Sequence, residues 1–226
     1  FGFSVTAAAE GSTIVGSGAN DTINGGAEAD TITGGAGNDT INLGTDGKID
    51  TIVLEVMATN GVDTVTGFEE GTGLDVIKLV AASTTVSTTT GNDATIVSTS
   101  AHTALTSDGA VDLSGADLGT PDIAQVAADI VELTFTSTQQ GYGDLSAATD
   151  GSELFKLFGN GTAVATSITV ANSGDQGYFV AYDNGDAYIY EADSGANTAI
   201  ASTEITLVAV LDGVATDALT AGDFVV

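Results

Sequence analysis

The chain has no cysteine and a single histidine among its 226 residues, and these absences exclude several kinds of site. Without cysteine there are no disulfides and no thiolate metal ligands. With His102 alone, no multi-histidine zinc centre can form. No acid–base partner accompanies His102 in its Ser-Ala-His-Thr context, so we expect it to have no chemical role.

Positive charge is nearly absent. Lys and Arg number 3 against 31 Asp and Glu, which gives a formal net charge of −28. Nucleic acid and anionic lipid would be repelled by such a surface, so neither is an expected partner. High charge can indicate disorder, but 42% of the residues are hydrophobic and the mean hydropathy is +0.26, which argues against it. We infer a folded chain whose acidic charge is offset by bound cations.

Long apolar runs are also missing. No run approaches the roughly 20 residues that a membrane-spanning helix needs, so we expect no membrane insertion. The first residues lack a basic region ahead of an apolar one, so no secretory signal peptide is visible. Because the chain starts with Phe1, we expect a processed product or part of a longer protein.

What the chain does have is a nine-residue period over residues 16–42. Glycine opens each of three consecutive steps, an aspartate follows at the sixth position, and an isoleucine stands at the eighth. Such a segment cannot close a core alone, but it buries a continuous apolar column if the steps coil and stack. Glycine lets main-chain carbonyls turn inward beside the carboxylates, and hard oxygens of both kinds suit calcium. The phased residues are Asp21, Asp30 and Asp39 with Ile23, Ile32 and Ile41.

This pattern resembles the RTX family, whose repeat reads Gly-Gly-x-Gly-x-Asp-x-U-x with U a large apolar residue. The third step, residues 34–42, matches at every defined position. The second step has Glu28 where the family has its third glycine, and the first has Ser17 and Ala19 in place of two glycines.

The resemblance implies a parallel β-roll in which each repeat forms a loop and a short strand. Calcium would then lie between loops that are two repeats apart. On that basis Asp21 and Asp39 share one side of the roll, and Asp30 lies on the other.

Candidate calcium ligands follow from the repeat phase. Asp50 is a candidate after an irregular step, and Asp46 could take its place. Asp63 and Asp75 are further candidates, or alternatively cap turns by accepting bonds from backbone amides. The regular repeats supply the principal aspartates and the glycines predicted to offer carbonyls: Asp21, Asp30, Asp39, Gly18, Gly26, Gly35 and Gly37.

The predicted fold class is mainly all-β, with two domains. Residues 1–80 form the RTX calcium-binding roll with its caps, and Val65–Leu79 is the predicted C-terminal cap. Residues 81–226 form an antiparallel, sandwich-like β domain. This domain also contains one or two short helices, predicted at Pro121–Leu133 and Ser152–Phe158. Several strands and a type I′ hairpin turn at Asn184-Gly185 complete it: Thr84–Thr90, Ala94–Ser100, Ala163–Ala171, Gly177–Asp183, Ala187–Glu191 and Glu204–Leu211.

The last eight residues, Leu219–Val226, mix acidic and apolar side chains. They resemble the C-terminal tail of type I-secreted RTX proteins, which is an uncleaved export address. The alternative is a last β-strand of the sandwich.

Catalysis finds no support in the sequence. There is no His-Glu-x-x-His motif, and no Gly-x-Ser-x-Gly motif with a plausible histidine partner, so we expect no enzyme. In its scarcity of Lys and Arg and its content of small and β-branched residues, the chain resembles S-layer proteins that contain RTX repeats. The first hypothesis is therefore a calcium-dependent extracellular structural protein that self-assembles, as a homo-oligomeric sheet or fibre, into a bacterial surface layer or filament.

Two other functions stay open. The chain could be the calcium-binding C-terminal export or adhesion module of a larger type I-secreted adhesin or enzyme. It could also be a soluble calcium buffer or a binder of cell-surface polysaccharide. All three place it outside the cell.

Overall fold

The computed structural model describes residues 1–55, 60–71, 73–79, 86–87, 95–97, 130–133, 144–154, 168–170, 176–193, 199–216 and 218–225. The chain divides into two compact units. Unit 1 comprises Phe1–Ala81, Asn184–Ile189 and Leu207–Val226, and unit 2 comprises Ala82–Asp183 and Tyr190–Thr206.

Short strands dominate the described residues, as the all-β prediction requires. In chain order they are β1 Ser4–Thr6, β2 Thr13–Val15, β3 Thr22–Asn24, β4 Thr31–Thr33, β5 Thr40–Asn42, β6 Thr51–Leu54, β7 Asp63–Thr66, β8 Val76–Leu79, β9 Val86–Ser87, β10 Thr95–Val97, β11 Ile130–Leu133, β12 Ile168–Val170, β13 Gln176–Asp183, β14 Asp186–Asp193, β15 Ala199–Ile200, β16 Ile205–Asp212 and β17 Phe224–Val225.

Unit 1 is a parallel β-roll, which confirms the fold predicted for the repeats. Successive strands alternate between two sheets, so odd-numbered β1, β3, β5 and β7 lie in one and even-numbered β2, β4, β6 and β8 in the other. Ser4 is paired with Thr22 and Thr22 with Thr40, so one coil takes two nonapeptides. The alternation arises because each repeat is a three-residue strand followed by a reversing loop.

The core of the roll is the column of apolar residues at the middle of each strand. A strand turns alternate side chains to opposite faces, so the central residue of Thr-Ile-Asn points inward while its neighbours point outward. Val5 and Ile14 of the first coil are only half-buried. From the second coil on, the column is fully buried and consists of Ile23, Ile32, Ile41, Ile52, Val65 and Ile77.

The coils lengthen after the regular repeats without losing register. Thr31 is paired with Thr51, Thr40 with Thr64, and Thr51 with Val76. The added residues lie in the loops, because a one-residue slip within a strand would turn its isoleucine to solvent.

Two strands from late in the sequence complete the roll, which corrects the predicted cap. Val65–Leu79 contains the end of β7 and the whole of β8, but these strands do not end the sheets. β16 pairs in parallel with β7, and β17 pairs in parallel with β8. The main-chain groups along the free edges of β7 and β8 need partners, and these two strands supply them. We call β16 and β17 the closing strands.

The C-terminal tail is therefore a strand, but it belongs to the roll and not to a sandwich. Residues Leu207–Val226 fall within unit 1, although the predicted second domain ran from 81 to 226. Its predicted role as an export address stays a prediction.

Unit 2 contains short strands in two arrangements. β11 pairs antiparallel with β10 and parallel with β13, while β12 pairs antiparallel with both β9 and β15. The predicted antiparallel sheet is thus present, with one parallel pair that was not predicted. β9 and β10 lie inside the predicted strands Thr84–Thr90 and Ala94–Ser100.

The predicted helix over Pro121–Leu133 is wrong at its C-terminal end. Residues 130–133 form β11, in keeping with the β-branched Ile130 and Val131, which favour strands. Residues 121–129 lie outside the described part of the chain. The second predicted helix begins as expected, since residues 152–154 are helical, and its remainder to Phe158 also lies outside the described residues.

The turn between β13 and β14 has the predicted conformation. Asn184 has φ = 55° and Gly185 has φ = 94°, and a type I′ turn requires positive φ at both central residues.

Candidate metal centre

One side of the roll carries a hydrogen-bonded column of buried aspartates. The main-chain N–H of Asp21 donates to Oδ1 of Asp39 at 2.7 Å, and that of Asp39 donates to Oδ1 of Asp63 at 3.0 Å. All three side chains are at most 2% exposed. We call this column the Asp21 ladder.

The opposite side repeats the arrangement. The N–H of Asp30 donates to Oδ1 of Asp50 at 2.7 Å, and that of Asp50 donates to Oδ1 of Asp75 at 2.9 Å. This column, the Asp30 ladder, is equally buried. Asp21 and Asp39 therefore share one side and Asp30 lies on the other, as the resemblance implied.

The first coil begins both ladders without a carboxylate of its own. Phe3 N–H donates to Oδ1 of Asp21 at 2.7 Å, and Ser12 N–H donates to Oδ1 of Asp30 at 2.6 Å. Phe3 and Ser12 occupy the register positions that hold aspartates in later coils. Only gaps between two aspartates of one ladder can thus receive two carboxylates. These gaps are Asp21/Asp39, Asp39/Asp63, Asp30/Asp50 and Asp50/Asp75.

Two of the buried carboxylates have an oxygen left over. Oδ2 of Asp30 and Oδ2 of Asp39 are shielded from solvent, and neither has a hydrogen-bond partner among the described residues. A buried anionic oxygen without a donor is strongly disfavoured, so a cation at each position is the simplest partner.

Glycine keeps space open beside these oxygens. A Cβ built on Gly34 would lie 2.4 Å from Oδ2 of Asp39 and 3.0 Å from Oδ2 of Asp63. A Cβ on Gly25 would lie 3.2 Å from Oδ2 of Asp30 and 3.1 Å from the carbonyl oxygen of Leu43. Carboxylate and carbonyl oxygens thus face the same small volumes.

Main-chain carbonyls from the predicted glycines also point between the coils. The carbonyl of Gly26 faces Gly44, and the carbonyl of Gly37 faces Gly61, at 2.5 and 2.1 Å from a Cβ built on each partner. Gly35 has φ = 93°, a conformation in which a side chain would be strained. Gly18 differs from these, because its φ is not positive and a Cβ there would meet nothing within 4 Å.

Calcium fits this donor set. It takes six to eight oxygen ligands in flexible geometry, and carboxylates with main-chain carbonyls are its usual ligands in proteins. Among the described residues, no three acidic or histidine side chains group into a metal cage. An ion between two coils would therefore combine carboxylate oxygens of one ladder with loop carbonyls.

Stacking the carboxylates changes their protonation in the ion-free roll. Burial, together with the neighbouring charge of Asp39, raises the pKa of Asp63 to about 8. Burial and the charges of Asp75 and Asp30 raise the pKa of Asp50 to about 6. Asp39 and Asp75 also have raised pKa values, with burial as the main cause.

Asp21 shifts the other way. Burial raises its pKa, but hydrogen bonds from Ser17 and Phe3 outweigh that effect, so the pKa lies below the usual value. When no cation is bound, the Asp21 ladder therefore holds a proton more readily at Asp63 than at Asp21.

The structure separates the less regular candidates. Asp50 belongs to the Asp30 ladder, whereas the alternative Asp46 is exposed and its Oδ1 accepts a bond from Lys48 N–H at 2.7 Å. Asp63 and Asp75 complete the two ladders and also accept bonds from backbone amides. Their geometry therefore fits both predicted roles, that of a calcium ligand and that of a turn cap. Calcium ligation by each of these residues stays a prediction. His102 lies outside the described residues.

Sequence reasoning did not identify Asn60 and Glu69, which brace the last aspartates. Asn60 Nδ2 donates to Oδ2 of Asp63 at 3.2 Å, and Glu69 N–H donates to Oδ2 of Asp75 at 2.8 Å. Neither residue recurs with the nine-residue period, so the repeat pattern could not identify them. The one hint in the sequence is that each comes shortly before an Asp-x-apolar unit.

Comparison with protein families identifies the repeats. The family model of the RTX calcium-binding nonapeptide repeat (4 copies) matches residues 13–47. The comparisons with curated proteins and with solved structures found no match. Repeats of this family bind calcium and are typical of secreted bacterial proteins. Within the described ranges, no helix has the length and apolar character needed to cross a bilayer.

Proposed function

Because residues 13–47 belong to the family of RTX calcium-binding repeats, we propose that this chain is a calcium-dependent structural protein of the bacterial cell exterior. It self-assembles into a surface layer or filament. The observation that carries the calcium dependence is the pair of buried aspartate ladders, in which Oδ2 of Asp30 and Oδ2 of Asp39 have no donor among the described residues.

Calcium would act as the partner that the ladders need in order to fold. Successive carboxylates of a ladder lie one strand spacing apart, about 4.8 Å, and repel each other when all are ionised. A site made by stacking does not exist in the unfolded chain, so the free energy of binding becomes free energy of folding. In low calcium the chain would stay unfolded, and in the higher calcium outside the cell it would fold.

Assembly is favoured by an uncharged face on a highly acidic protein. The outward side chains of β1, β3, β5 and β7 carry hydroxyl or amide groups and no charge. Two chains of net charge −28 repel each other least where such faces meet. These side chains are Ser4, Thr6, Thr22, Asn24, Thr40, Asn42, Thr64 and Thr66.

The absence of an enzymatic role is part of the proposal. The sequence contains neither the metalloprotease nor the esterase motif that would accompany such repeats.

A second candidate is favoured by the end of the chain. Leu219–Val226 keeps the acidic and apolar composition of an export tail, so the chain could be the calcium-binding export or adhesion module of a larger protein. Cell-surface polysaccharide would then be a plausible ligand of the module.

One experiment separates the two candidates. The purified chain is titrated with calcium while circular dichroism reports folding and light scattering reports assembly, and the products are imaged by electron microscopy. Ordered sheets or fibres that dissolve on adding EGTA are expected for the structural protein. A chain that folds with calcium but stays monomeric contradicts self-assembly and favours the export or adhesion module. Magnesium at the same concentration is the control, because it dehydrates reluctantly and prefers a tighter octahedral site.

A further inference from the structure

Each aspartate ladder ends in a hydrogen-bonded connection to a closing strand. The last aspartates are Asp63, the first residue of β7, and Asp75, directly before β8. The loops that precede them make contacts with β16 and with the turn before β17. These contacts join residues that are about 150 positions apart in the chain, and they are unrelated to the nonapeptide pattern.

The first connection runs through Asn60, which is fully buried. Its Nδ2 donates to Oδ2 of Asp63 at 3.2 Å and to the carbonyl oxygen of Val208 in β16 at 2.9 Å. Its Oδ1 accepts a bond from Glu55 N–H at 2.9 Å, which fixes the orientation of the amide. Oδ2 of Asp63 is one of the oxygens that face Gly34, so Asn60 holds it toward the gap shared with Asp39.

The second connection runs through Asp223, which is also fully buried. Its Oδ1 accepts a bond from Gly71 N–H at 2.7 Å, and its Oδ2 accepts bonds from the amide and hydroxyl of Thr220. Gly71 belongs to the loop that ends at Asp75, and Asp75 N–H donates to the carbonyl of Glu69 within that loop. Asp223 thus fixes the loop that positions Asp75.

The geometry points to Asn60 and Asp223 as positioning residues for the last calcium site of each ladder, acting through the closing strands. This inference rests on the proposed calcium binding of the roll. The gaps Asp39/Asp63 and Asp50/Asp75 would be complete only when β16 and β17 are docked. The gaps Asp21/Asp39 and Asp30/Asp50 need only residues of the regular repeats and the coil that follows them.

Thermodynamic linkage makes the relation reciprocal. If docking of the closing strands strengthens calcium binding at the last gaps, calcium at those gaps must strengthen docking by the same factor. Residues 205–225 would therefore report on ions that they do not contact.

Two variants of the full chain test this, each with a matched control. Asn60→Ala removes the bridge to Asp63 and Val208, and Asp223→Asn removes one acceptor while keeping the size of the side chain. The controls are Thr13→Ala, which is exposed on the outer face of β2, and Asp212→Asn, which is exposed at the end of β16. Calcium affinity is measured by calorimetry, and amide hydrogen exchange at saturating calcium locates the effect.

We expect each test variant to weaken one of the four sites about tenfold, the effect of losing a hydrogen bond to a charged group. In Asn60→Ala, exchange should rise about tenfold in β7 and β16 and stay unchanged in β8. In Asp223→Asn, it should rise in β8 and β17 and stay unchanged in β7. Test variants that match their controls in both measurements would overturn the inference.

A measurement on the unmodified chain covers the case of variants that do not fold. During a calcium titration, protection of β16 and β17 should rise together with that of β7 and β8, after that of β3 and β4. Protection of β16 and β17 that rises with that of β3 and β4, ahead of β7 and β8, contradicts the inference alone. A chain that binds no calcium would instead contradict the proposed function.

Discussion

The main-chain N–H of Asp21 donates a 2.7 Å hydrogen bond to the carboxylate of Asp39, one full coil later. The same bond recurs at each later step of both ladders, so every carboxylate is oriented by the backbone of the preceding coil. In Asp39 this bond occupies Oδ1, and Oδ2 lies 2.4 Å from a Cβ built on Gly34. One side chain of the repeat thus makes a folding contact and leaves a second oxygen for the predicted ion.

Gly34→Ala should abolish one calcium site. The added methyl group would lie 2.4 Å from Oδ2 of Asp39, in the space that an ion between Asp39 and Asp63 would use. At calcium a hundredfold above the dissociation constant, losing one ion lowers the free energy of unfolding by about 2.7 kcal/mol. Urea unfolding and calorimetric stoichiometry measure the two effects.

Gly18→Ala is the matched control for that variant. A Cβ at Gly18 would meet nothing within 4 Å, and its φ is not positive. The change should alter stability by less than about 0.5 kcal/mol and leave the stoichiometry intact. Equal losses in the two variants would show that the space beside Asp39 holds no ion.

Asp39→Asn should weaken two sites, because Asp39 borders two gaps of the Asp21 ladder. The amide oxygen can still accept the bond from Asp21 N–H, so the coil keeps its contact while the charge is lost. Native mass spectrometry should find two fewer ions at a limiting calcium concentration. Asp46→Asn removes the same charge from an exposed side chain and should bind as many ions as the unmodified chain. A loss of ions in Asp46→Asn would contradict the assignment of the ladders.

Removal of calcium should unfold the roll. With a dissociation constant of about 10⁻⁴ M and calcium at about 10⁻² M, each site contributes roughly 2.7 kcal/mol. Four sites contribute roughly 11 kcal/mol, which is comparable with the whole stability of a domain. Far-ultraviolet circular dichroism at pH 8.5, where both Asp50 and Asp63 are ionised, should lose β signal in EDTA and regain it when calcium is restored. A native β spectrum in EDTA at pH 8.5 would contradict this.

The ion-free roll should become more stable as the pH falls. The pKa of Asp63 is about 8 and that of Asp50 about 6, both above the ordinary value of 3.8. Since the folded state holds these protons more tightly, their contribution to stability is complete below about pH 3.8. It is lost as the pH rises through about 6 and then about 8. The β signal of circular dichroism in EDTA, recorded between pH 4.5 and 8.5, measures it, because protonation should restore folding as the pH falls.

With calcium present, stability should instead rise with pH, because the ion requires ionised carboxylates and competes with protons.

Asp63→Asn should remove the part of the pH dependence in EDTA that lies between about pH 6 and 8. A β signal in EDTA that rises with pH would contradict the pKa shifts from which the prediction starts.

The regular part of the fold was predictable because its information is local. Asp21, Asp30 and Asp39 recur in phase with buried isoleucines, and two repeats per coil place them alternately on opposite sides. Once the period is lost after Asn42, the sequence ranks Asp46 and Asp50 as alternatives. Only the structure separates them, because the register of β4 with β6 decides which carboxylate meets the N–H of Asp30.

Long-range pairing was not predictable. β17 pairs with β8 across about 147 positions. A strand of two residues is too short to show a sequence pattern from which its pairing partner could be predicted. The predicted helix over Pro121–Leu133 shows the same limit, because its apolar spacing suited a helix while Ile130–Leu133 gained a strand partner on each side.

The sequence by itself determined the coil, the inward isoleucines and the two columns of aspartates, because a fixed period converts position in the chain directly into position in space. Tertiary structure alone decided where the columns end and what holds their last members. The columns end where they do because two distant strands, β16 and β17, pair with the edges of β7 and β8. The bonds of Asn60 to Val208 and of Asp223 to Gly71 form only after these strands have docked.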